Sequence, residues 1–313
     1  MTNKPVLLIH GGAGLSSPKN LPQERQEEAI SVLKKIVKDC YEMLRNKSPA
    51  LDVVEAAVNM LEDCPLFNAG YGSVIASDGK CYADASIMDG KTGLAGALCG
   101  STQIKNPISV ARKIMERTPH VMLIGEDVHQ FAVSEGFELI QNEELLTEYR
   151  ISQLQRAQKS NKLLLDHESV EEGKSLQPEE KMGTVGSVAL DVFGNLAAAT
   201  STGGLVNKRI GRVGDSAIIG SGTFVNNQTC AVSSTGHGEV FMRHCVAVRI
   251  SHLMEFGGLS LQTAAQQVLE ELPEKSGGLI AVDREGNFCL PFTSGGMFRG
   301  FCNGGEPVGL IWK

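Results

Sequence analysis

The chain has 313 residues, a formal net charge of -7 and 21% charged residues, which is ordinary for a globular protein able to bury a full core. The acidic balance argues against nucleic acid or an anionic membrane as a partner. No apolar stretch approaches the roughly 20 residues that a membrane-spanning helix needs. The first residues show no signal-peptide pattern, so we expect a cytoplasmic protein.

The first predicted elements alternate between strand and helix. Val6 to Ile9 is a short apolar run that predicts a buried strand, and it leads into the glycine-rich turn at residues 10–14. Apolar residues at helical spacing from Ala29 to Leu44 predict a long helix. Serine or asparagine followed by proline is typical of a helix start. Ser48-Pro49 and Asn106-Pro107 therefore predict two further helices.

Residues 143–181 differ in composition from the rest of the chain, because charged and amide side chains dominate and apolar residues are few. Such a segment cannot bury enough surface to offset the entropy of ordering. We predict a mobile linker over about 150–183. An ordinary charged helix plus loop remains an alternative for residues 143–160.

Beyond the linker, two hairpins are predicted. Residues 183–191 and 196–200 flank one turn, and residues 279–283 and the strand from Phe288 flank another. A helix is predicted over 239–256, and a second one is capped by Ser260. Antiparallel hairpins with helices on both sides favour an α+β fold arranged as a four-layer αββα sandwich.

Several common sites have no support in the sequence. The eight cysteines form no Cys-x-x-Cys pair, so we expect free and mostly buried thiols. No Gly-x-Ser-x-Gly elbow, phosphate loop, dinucleotide fingerprint or His-Glu-x-x-His pattern occurs. The usual ways of activating a hydroxyl, including zinc, are therefore not indicated.

A Gly-Thr pair at the start of a buried strand, Gly183-Thr184, is by itself a weak signal. In its wider setting the chain resembles the plant-type asparaginase and isoaspartyl aminopeptidase family of N-terminal nucleophile hydrolases. The resemblance covers nearly the whole chain. It is carried by seven motifs, which are His10-Gly11-Gly12-Ala13-Gly14, Phe67-Asn68-Ala69-Gly70-Tyr71-Gly72-Ser73, Asp84-Ala85-Ser86-Ile87-Met88-Asp89-Gly90, Gly183-Thr184-Val185-Gly186, Thr200-Ser201-Thr202-Gly203-Gly204, Gly211-Arg212-Val213-Gly214-Asp215 and Ser234-Thr235-Gly236-His237-Gly238-Glu239.

The resemblance implies that the chain cleaves itself between Gly183 and Thr184. Fragments 1–183 and 184–313 would then form one structural domain. A threonine hydroxyl is a poor nucleophile until a base takes its proton. Cleavage frees the α-amine of Thr184, which titrates at about 7.7–8.0 and can serve as that base. The implied activity is hydrolysis of asparagine and β-aspartyl dipeptides.

The resemblance also assigns catalytic partners. Thr202 would orient the Thr184 hydroxyl, Thr235 and the N–H of Gly236 would form the oxyanion hole, and Asn68 would support the amine. Read without the resemblance, the two partner threonines could simply be strand-end hydroxyls that cap backbone groups.

For the substrate, the resemblance implies that Arg212 holds the α-carboxylate while Asp215 and the carbonyl of Gly238 hold the α-ammonium. The planar fork of an arginine suits a carboxylate. The alternative from spacing alone is that Arg212 and Asp215 pair with each other across a turn.

No catalytic cofactor is implied, but a structural sodium ion is. Its ligands would be main-chain carbonyls of one loop, those of Leu61, Glu62, Cys64, Phe67, Ala69 and Tyr71. The family also implies a homodimer of processed αβ units acting on a small amino acid or dipeptide.

Two other readings stay open. One is a sibling enzyme, either a glycosylasparaginase or a taspase-like endopeptidase. The other is an unprocessed, catalytically silent scaffold.

Overall fold

A computed structural model describes residues 4–15, 17–159 and 183–313. The strands are β1 (Val6–Leu15), β2 (Ala83–Asp89), β3 (Ala95–Ser101), β4 (Met122–Ile124), β5 (Val185–Leu190), β6 (Leu196–Thr202), β7 (Thr223–Val225), β8 (Cys230–Gly236), β9 (Gly277–Asp283), β10 (Phe288–Cys289), β11 (Gly296–Cys302) and β12 (Val308–Leu310). The α-helices are α1 (Gln23–Arg45), α2 (Ala50–Glu62), α3 (Pro107–Arg117), α4 (Asp127–Ser134), α5 (Glu148–Lys159), α6 (Gly238–His244), α7 (Val246–Glu255) and α8 (Leu261–Glu270).

The described strands form two sheets. One has eight strands in the order β12-β11-β1-β5-β6-β2-β3-β4, and the other has four in the order β10-β9-β8-β7. Neighbouring strands run antiparallel except β3 and β4, which are parallel. The predicted hairpins β5–β6 and β9–β10 are both present. The mixed α+β class is confirmed.

Strand β1 shows why residues 6–9 form a continuous apolar run. All ten of its residues are buried, because both faces of the large sheet are covered. Leu7 and Ile9 point into a core shared with α1, α2 and α3. Val6 and Leu8 point the other way, into a core that includes Ile280 of the small sheet. Helices α7 and α8 cover the remaining face of the small sheet through a third core.

The Ser48-Pro49 pair predicts Ser48 as the N-cap of α2 with Pro49 in its first turn, and this is wrong. The helix begins at Ala50 with Pro49 as N-cap residue, and no side chain of the cap accepts a hydrogen bond. Instead, a carboxylate oxygen of Asp191 accepts from the N–H of Ala50 at 3.1 Å. Asp191 lies in the β5–β6 turn, so the cap comes from a residue 141 positions away in the chain.

Helix α3 does start at Asn106-Pro107, but its cap is also supplied from elsewhere. The side chain of Asn106 makes no cap bond. Buried Glu62, at the end of α2, accepts from the N–H of Ile108 at 3.1 Å. A carboxylate at a helix N-terminus is favourable because it satisfies a free N–H group and the helix dipole.

The single helix predicted over 239–256 is in fact two. Cys245 adopts a left-handed conformation with φ of 47° and separates α6 from α7. The first N–H groups of α7, on Ala247 and Val248, donate to the carbonyls of Ser221 and Gly220. Because a neighbouring loop satisfies these groups, the chain tolerates the break. Ser260 caps α8 as predicted, accepting from the N–H of Thr263.

The predicted linker over 150–183 begins inside helix α5. Arg150 is buried and donates to the carbonyl of Gly72 at 2.7 Å, so residues up to 159 pack against the fold. The rest of that prediction, residues 160–182, lies outside the described residues. All eight cysteines are free, and six are buried. None of the described helices is long and apolar enough to cross a membrane.

Candidate active site

Thr184 lies immediately before β5, where strand pairing fixes its neighbour. Strands β5 and β6 pair from Leu190 with Leu196 out to Val185 with Ser201. The next pair outward is Thr184 and Thr202. The Thr184 hydroxyl donates to the Thr202 hydroxyl at 3.1 Å, and both residues are buried.

The Thr202 hydroxyl is itself held by the loop that follows β6. The N–H of Gly204 donates to it at 2.9 Å. The side-chain amide of Asn68 donates to the carbonyl of Gly204 and accepts from the N–H of Val74, each at 2.8 Å. In this uncut chain Asn68 therefore fixes the loop that carries the Thr202 contact. Its support of a freed amine stays a prediction.

The glycine-rich residues 10–14, predicted as a turn, are instead the second half of strand β1, and they pack against Gly183. Gly12 has φ of 109°, and a Cβ on it would overlap the main chain of Gly183. The Thr235 hydroxyl accepts from the N–H of Ala13 at 3.2 Å. The same hydroxyl lies 3.2 Å from the point where a Cβ on Gly183 would stand. The predicted cleavage site is therefore packed against a predicted oxyanion-hole residue.

Gly236, the other predicted oxyanion-hole residue, ends β8 directly after Thr235. Its φ is 151°, and a Cβ there would overlap the carbonyl oxygen of Ser276. Only glycine fits this position.

His10 is a site residue that the sequence reading took only as part of a motif. One ring nitrogen, Nδ1, lies 3.0 Å from the carbonyl oxygen of Thr184. The other, Nε2, lies 2.9 Å from the hydroxyl of Ser233. Complete burial lowers the pKa of His10 to about 3, against a smaller opposing effect of the Thr184 bond. The imidazole is therefore neutral at physiological pH.

Among the described residues, Arg212 forms its ion pair with Glu239 and not with Asp215. Its Nε and Nη2 donate to the two carboxylate oxygens of Glu239 at 3.0 and 3.1 Å. Partial burial opposes ionisation of Glu239, but these bonds and the charge of Arg212 hold its pKa below the ordinary value. Glu239 belongs to the Ser234–Glu239 motif, but no role for it was predicted from the sequence.

Asp215 is buried with an incomplete set of partners. Its Oδ2 has no hydrogen-bond partner among the residues that the structure describes. Burial raises the pKa of Asp215 to about 7, although the nearby Arg212 lowers it in part. A Cβ on Gly238 would stand 2.9 Å from both Asp215 Oδ1 and Arg212 Nη2. The three predicted substrate-binding residues thus lie together.

Lys208 is a second residue that sequence reasoning missed. Its side chain is buried, and Nζ donates to the carbonyl of Tyr82 at 2.9 Å. Burial lowers the pKa of Lys208, with Asp84 opposing the shift. A Cβ on Gly204 would stand 2.8 Å from Lys208 Nζ and 3.2 Å from Arg212 Nη1. The lysine therefore supports the loop between the nucleophile and the pocket.

The loop predicted to hold sodium folds back on itself. The N–H of Tyr71 donates to the carbonyl of Glu62 at 2.8 Å, that of Phe67 to Cys64 at 3.2 Å, and that of Cys64 to Leu61 at 3.3 Å. Within the described part of the chain, no cluster of three or more His, Cys, Asp or Glu side chains could hold a metal ion.

The chain is similar to known proteins over nearly its whole length. A family model described as asparaginase matches residues 3–309. An isoaspartyl peptidase of Salmonella typhimurium is 48% identical over 307 residues, covering 97% of each chain. An isoaspartyl peptidase of Escherichia coli is 48% identical over 97% of this chain and 94% of its own. A probable isoaspartyl peptidase/L-asparaginase 2 of Arabidopsis thaliana is 41% identical, covering 94% of each chain. The chain belongs to the asparaginase family.

Proposed function

We propose that this protein is a self-cleaving threonine hydrolase of L-asparagine and of β-aspartyl dipeptides. It would release L-aspartate together with ammonia or an amino acid. The observation that carries the proposal is the buried Thr184 hydroxyl, hydrogen-bonded to Thr202 at the start of β5. The names of the relatives agree with this activity.

Self-cleavage would begin with attack of the Thr184 hydroxyl on the carbonyl carbon of Gly183. The bond from Gly183 to the Thr184 nitrogen breaks, and an ester between Gly183 and the Thr184 oxygen forms. The proton of the hydroxyl passes to the departing nitrogen, so the α-amine of Thr184 is free in the ester. Water then hydrolyses the ester and leaves a carboxyl group on Gly183 and a hydroxyl on Thr184. The close packing of Gly12 and Thr235 around Gly183 supports this proposal, because it limits the positions the peptide can take.

In the processed enzyme the freed amine takes the proton of the Thr184 hydroxyl, which attacks the side-chain amide of the substrate. Thr202 orients that hydroxyl. Thr235 and the N–H of Gly236 stabilise the oxyanion, a contribution of about 3–4 kcal/mol for one such donor in other hydrolases. Asn68 supports the amine after cleavage. Ammonia or the amino acid leaves, and water releases aspartate from Thr184.

Substrate selection would rest on Arg212, Asp215 and Gly238. Arg212 binds the α-carboxylate, using donors beyond the two that hold Glu239. The α-ammonium completes the coordination of Asp215, whose Oδ2 has no described partner, and also bonds the Gly238 carbonyl. A pocket with one cation and one anion selects a zwitterionic amino acid over a simple ester.

The two fragments, 1–183 and 184–313, would stay together as one domain. Strand β1 of the first fragment lies between β5 and β11 of the second, and β2 pairs with β6. Cutting one peptide bond leaves this shared sheet intact. We propose that the helices and the two facing sheets make the αββα sandwich of N-terminal nucleophile hydrolases.

No cofactor would take part in the chemistry. The carbonyls of Leu61, Glu62, Cys64, Phe67, Ala69 and Tyr71 would hold a structural sodium ion. The carbonyls of Glu62 and Cys64 already accept one N–H bond each, and a carbonyl oxygen has a second lone pair for a hard cation. The Leu61 carbonyl accepts from both Asp63 and Cys64. The ion would stiffen the loop that carries Asn68. We further propose a homodimer of αβ units located in the cytoplasm.

The test uses purified protein sampled fresh and after incubation. Denaturing gels and intact mass should show fragments 1–183 and 184–313 growing at the expense of the full chain. Hydrolysis of a β-aspartyl dipeptide should rise in parallel. A chain that stays intact and inactive would favour the silent-scaffold reading, and full activity without any cut would refute the proposed base.

A further inference from the structure

Behind the Thr184 carbonyl runs a line of buried polar side chains that the proposed chemistry does not use. His10 bonds Ser233, the Ser233 hydroxyl lies 2.7 Å from that of Thr200, and Thr223 donates to Thr200 at 2.5 Å. Ser86 lies 2.8 Å from the Thr223 hydroxyl and 2.6 Å from the carbonyl of Ser216. All five side chains are fully buried. The line therefore joins the main chain of the nucleophile to the residue after Asp215.

The directions of the hydrogen bonds follow from the Thr184 end of the line. A carbonyl can only accept, so His10 must donate from Nδ1 to Thr184. A neutral ring must then accept at Nε2 from Ser233, at 2.9 Å. This bond is shorter than the 3.4 Å contact of the Ser233 hydroxyl with the Ala199 carbonyl, so it uses the Ser233 hydrogen and Thr200 donates to Ser233.

By the same count Thr223 donates to Thr200. At the far end Ser86 donates to the Ser216 carbonyl at 2.6 Å, because a carbonyl can only accept, and its longer contact is with the Thr223 hydroxyl at 2.8 Å. The hydroxyls of Ser233, Thr200 and Thr223 thus point their hydrogens toward Thr184, and the aligned part of the line ends at Ser86. Such an aligned chain polarises each successive bond.

Gly186, inside one of the recognised motifs, provides independent evidence that the strands leave room for this line of side chains. Gly186 pairs with His10 across strands β1 and β5. A Cβ on it would overlap both Ser233 Oγ and His10 Nε2. A glycine at this strand position leaves the space through which the His10–Ser233 bond passes.

We propose that His10, Ser233, Thr200, Thr223 and Ser86 form a positioning relay that holds the Thr184 main chain and thereby aims its hydroxyl. The inference rests on the proposed role of Thr184. The relay side chains transfer no proton to substrate. They set the orientation of Thr184 during self-cleavage and during hydrolysis, and they link it mechanically to the Asp215 side of the pocket.

The first test uses a matched pair at Thr200, which has no role in the proposed substrate contacts. Thr200→Val keeps the shape and removes the hydroxyl, whereas Thr200→Ser keeps the hydroxyl and loses a methyl group. The relay predicts that Thr200→Val lowers the self-cleavage rate and kcat by about 10-fold with KM nearly unchanged, because a buried partner is left unsatisfied. Thr200→Ser should restore most of that loss. If only packing matters, the order reverses, with Val tolerated and Ser impaired.

The second test uses a pair at His10. The amide nitrogen of asparagine can stand near the position of Nδ1, and that of glutamine near the position of Nε2. His10→Gln, which loses the Thr184 contact, should slow cleavage and kcat by about 10- to 100-fold. His10→Asn should lose less, because a donor to Thr184 remains. Equal losses, or a loss confined to KM, would overturn the relay.

Nitrogen NMR of the imidazole supplies a readout that does not depend on activity. His10 should show Nδ1 protonated and Nε2 unprotonated, with no titration between pH 5 and 9. Thr200→Val should shift the Nε2 signal, because it removes the donor to Ser233. The opposite tautomer would overturn the relay, even in a protein that fails to cleave. Normal cleavage together with wild-type rates in Thr200→Val would reject the relay and leave the proposed function standing.

Discussion

The nucleophile side and the pocket side of the candidate site are both buried, but they differ in how their polar groups are satisfied. On the nucleophile side the hydroxyls of Thr184 and Thr202 and both nitrogens of His10 have partners. On the pocket side a buried Asp215 oxygen has none among the described residues. The named groups of the first region are satisfied within the protein, although the neighbouring buried hydroxyls of Ser201 and Ser234 have no described partner. In the second region the unpartnered group is a carboxylate, which a cationic ligand can complete.

This difference has an energetic meaning. A satisfied polar network stabilises one geometry, whereas an unpaired buried carboxylate costs stability until a cation arrives. The raised pKa of Asp215, about 7, is the signature of that cost. We therefore expect the nucleophile side to be rigid. On the pocket side the buried Asp215 carboxylate lowers the stability of the fold and provides an acceptor for the substrate. Four predictions test this difference between the nucleophile side and the pocket side.

The largest effect is expected from Thr184→Ala. Without a hydroxyl neither self-cleavage nor hydrolysis can start, so a gel should show one intact chain with no turnover of a β-aspartyl dipeptide. Thr184→Ser is the matched control, because it keeps the hydroxyl and should still be cleaved. Turnover by the alanine variant would show that another residue is the nucleophile.

The second-largest effect is expected from Arg212→Ala. Loss of the only predicted α-carboxylate ligand should lower kcat/KM by about 100-fold or more, mainly through KM. Self-cleavage should proceed, since no substrate carboxylate takes part in it. Arg209→Ala is the control, because Arg209 is exposed in the same loop and should leave kinetics unchanged. Loss of processing in Arg212→Ala would make Arg212 a structural residue.

Asp215→Asn should separate activity from stability. We expect KM to rise by about 10- to 100-fold, because a charged hydrogen bond to the α-ammonium is lost. The folded-state pKa of Asp215 is raised from the ordinary value of 3.8 to about 7. Between these two pH values the unfolded chain has lost the proton that the folded chain retains, so stability falls as pH rises from about 4 to about 7 and this loss stays constant above pH 7.

Without ligand, the asparagine variant should therefore melt several degrees higher than wild type at pH 8. That advantage should vanish at pH 4, where Asp215 is protonated in the folded protein. Thermal melting of both proteins at pH 4 and pH 8 tests this prediction. An equal or lower Tm at pH 8 would mean that Asp215 is satisfied by a group within the protein.

The smallest effect concerns ligand binding across pH. Below pH 7 protonation of Asp215 should weaken binding of L-aspartate by up to about tenfold per pH unit. Succinate, which lacks the α-ammonium, should not show this loss. Calorimetric titrations of the processed enzyme between pH 5.5 and 8 compare the two ligands directly. Parallel pH profiles would argue that Asp215 does not face the ammonium group.

Part of this site could be predicted from sequence because it depends on residue types in a fixed order. The Gly183-Thr184 pair and the Thr202, Thr235, Arg212 and Asp215 motifs were all recognisable along the chain. The structure brings them together around β5 and β6 as neighbours. Their chemical roles remain predictions.

Hydrogen bonds and ion pairs between segments far apart in the sequence could not be predicted. Nothing in the local pattern links His10 with Ser233, 223 positions away, and nothing assigns Glu239 rather than Asp215 to Arg212. The space that Gly186 leaves for the His10–Ser233 bond is likewise invisible in the linear sequence.

The sequence by itself predicted strands β1, β5, β6, β9 and β10 and helices α1, α2, α3 and α8, which follow from periodicity and residue type over a few neighbouring positions. Seven of the twelve described strands were not predicted. The Gly183-Thr184 motif was recognised through the family resemblance. Only the tertiary structure decided which distant carboxylates cap α2 and α3, where the helix breaks at Cys245, and which buried groups are satisfied. Those outcomes depend on hydrogen bonds between segments, and such bonds form only where packing brings donor and acceptor within about 3 Å of each other.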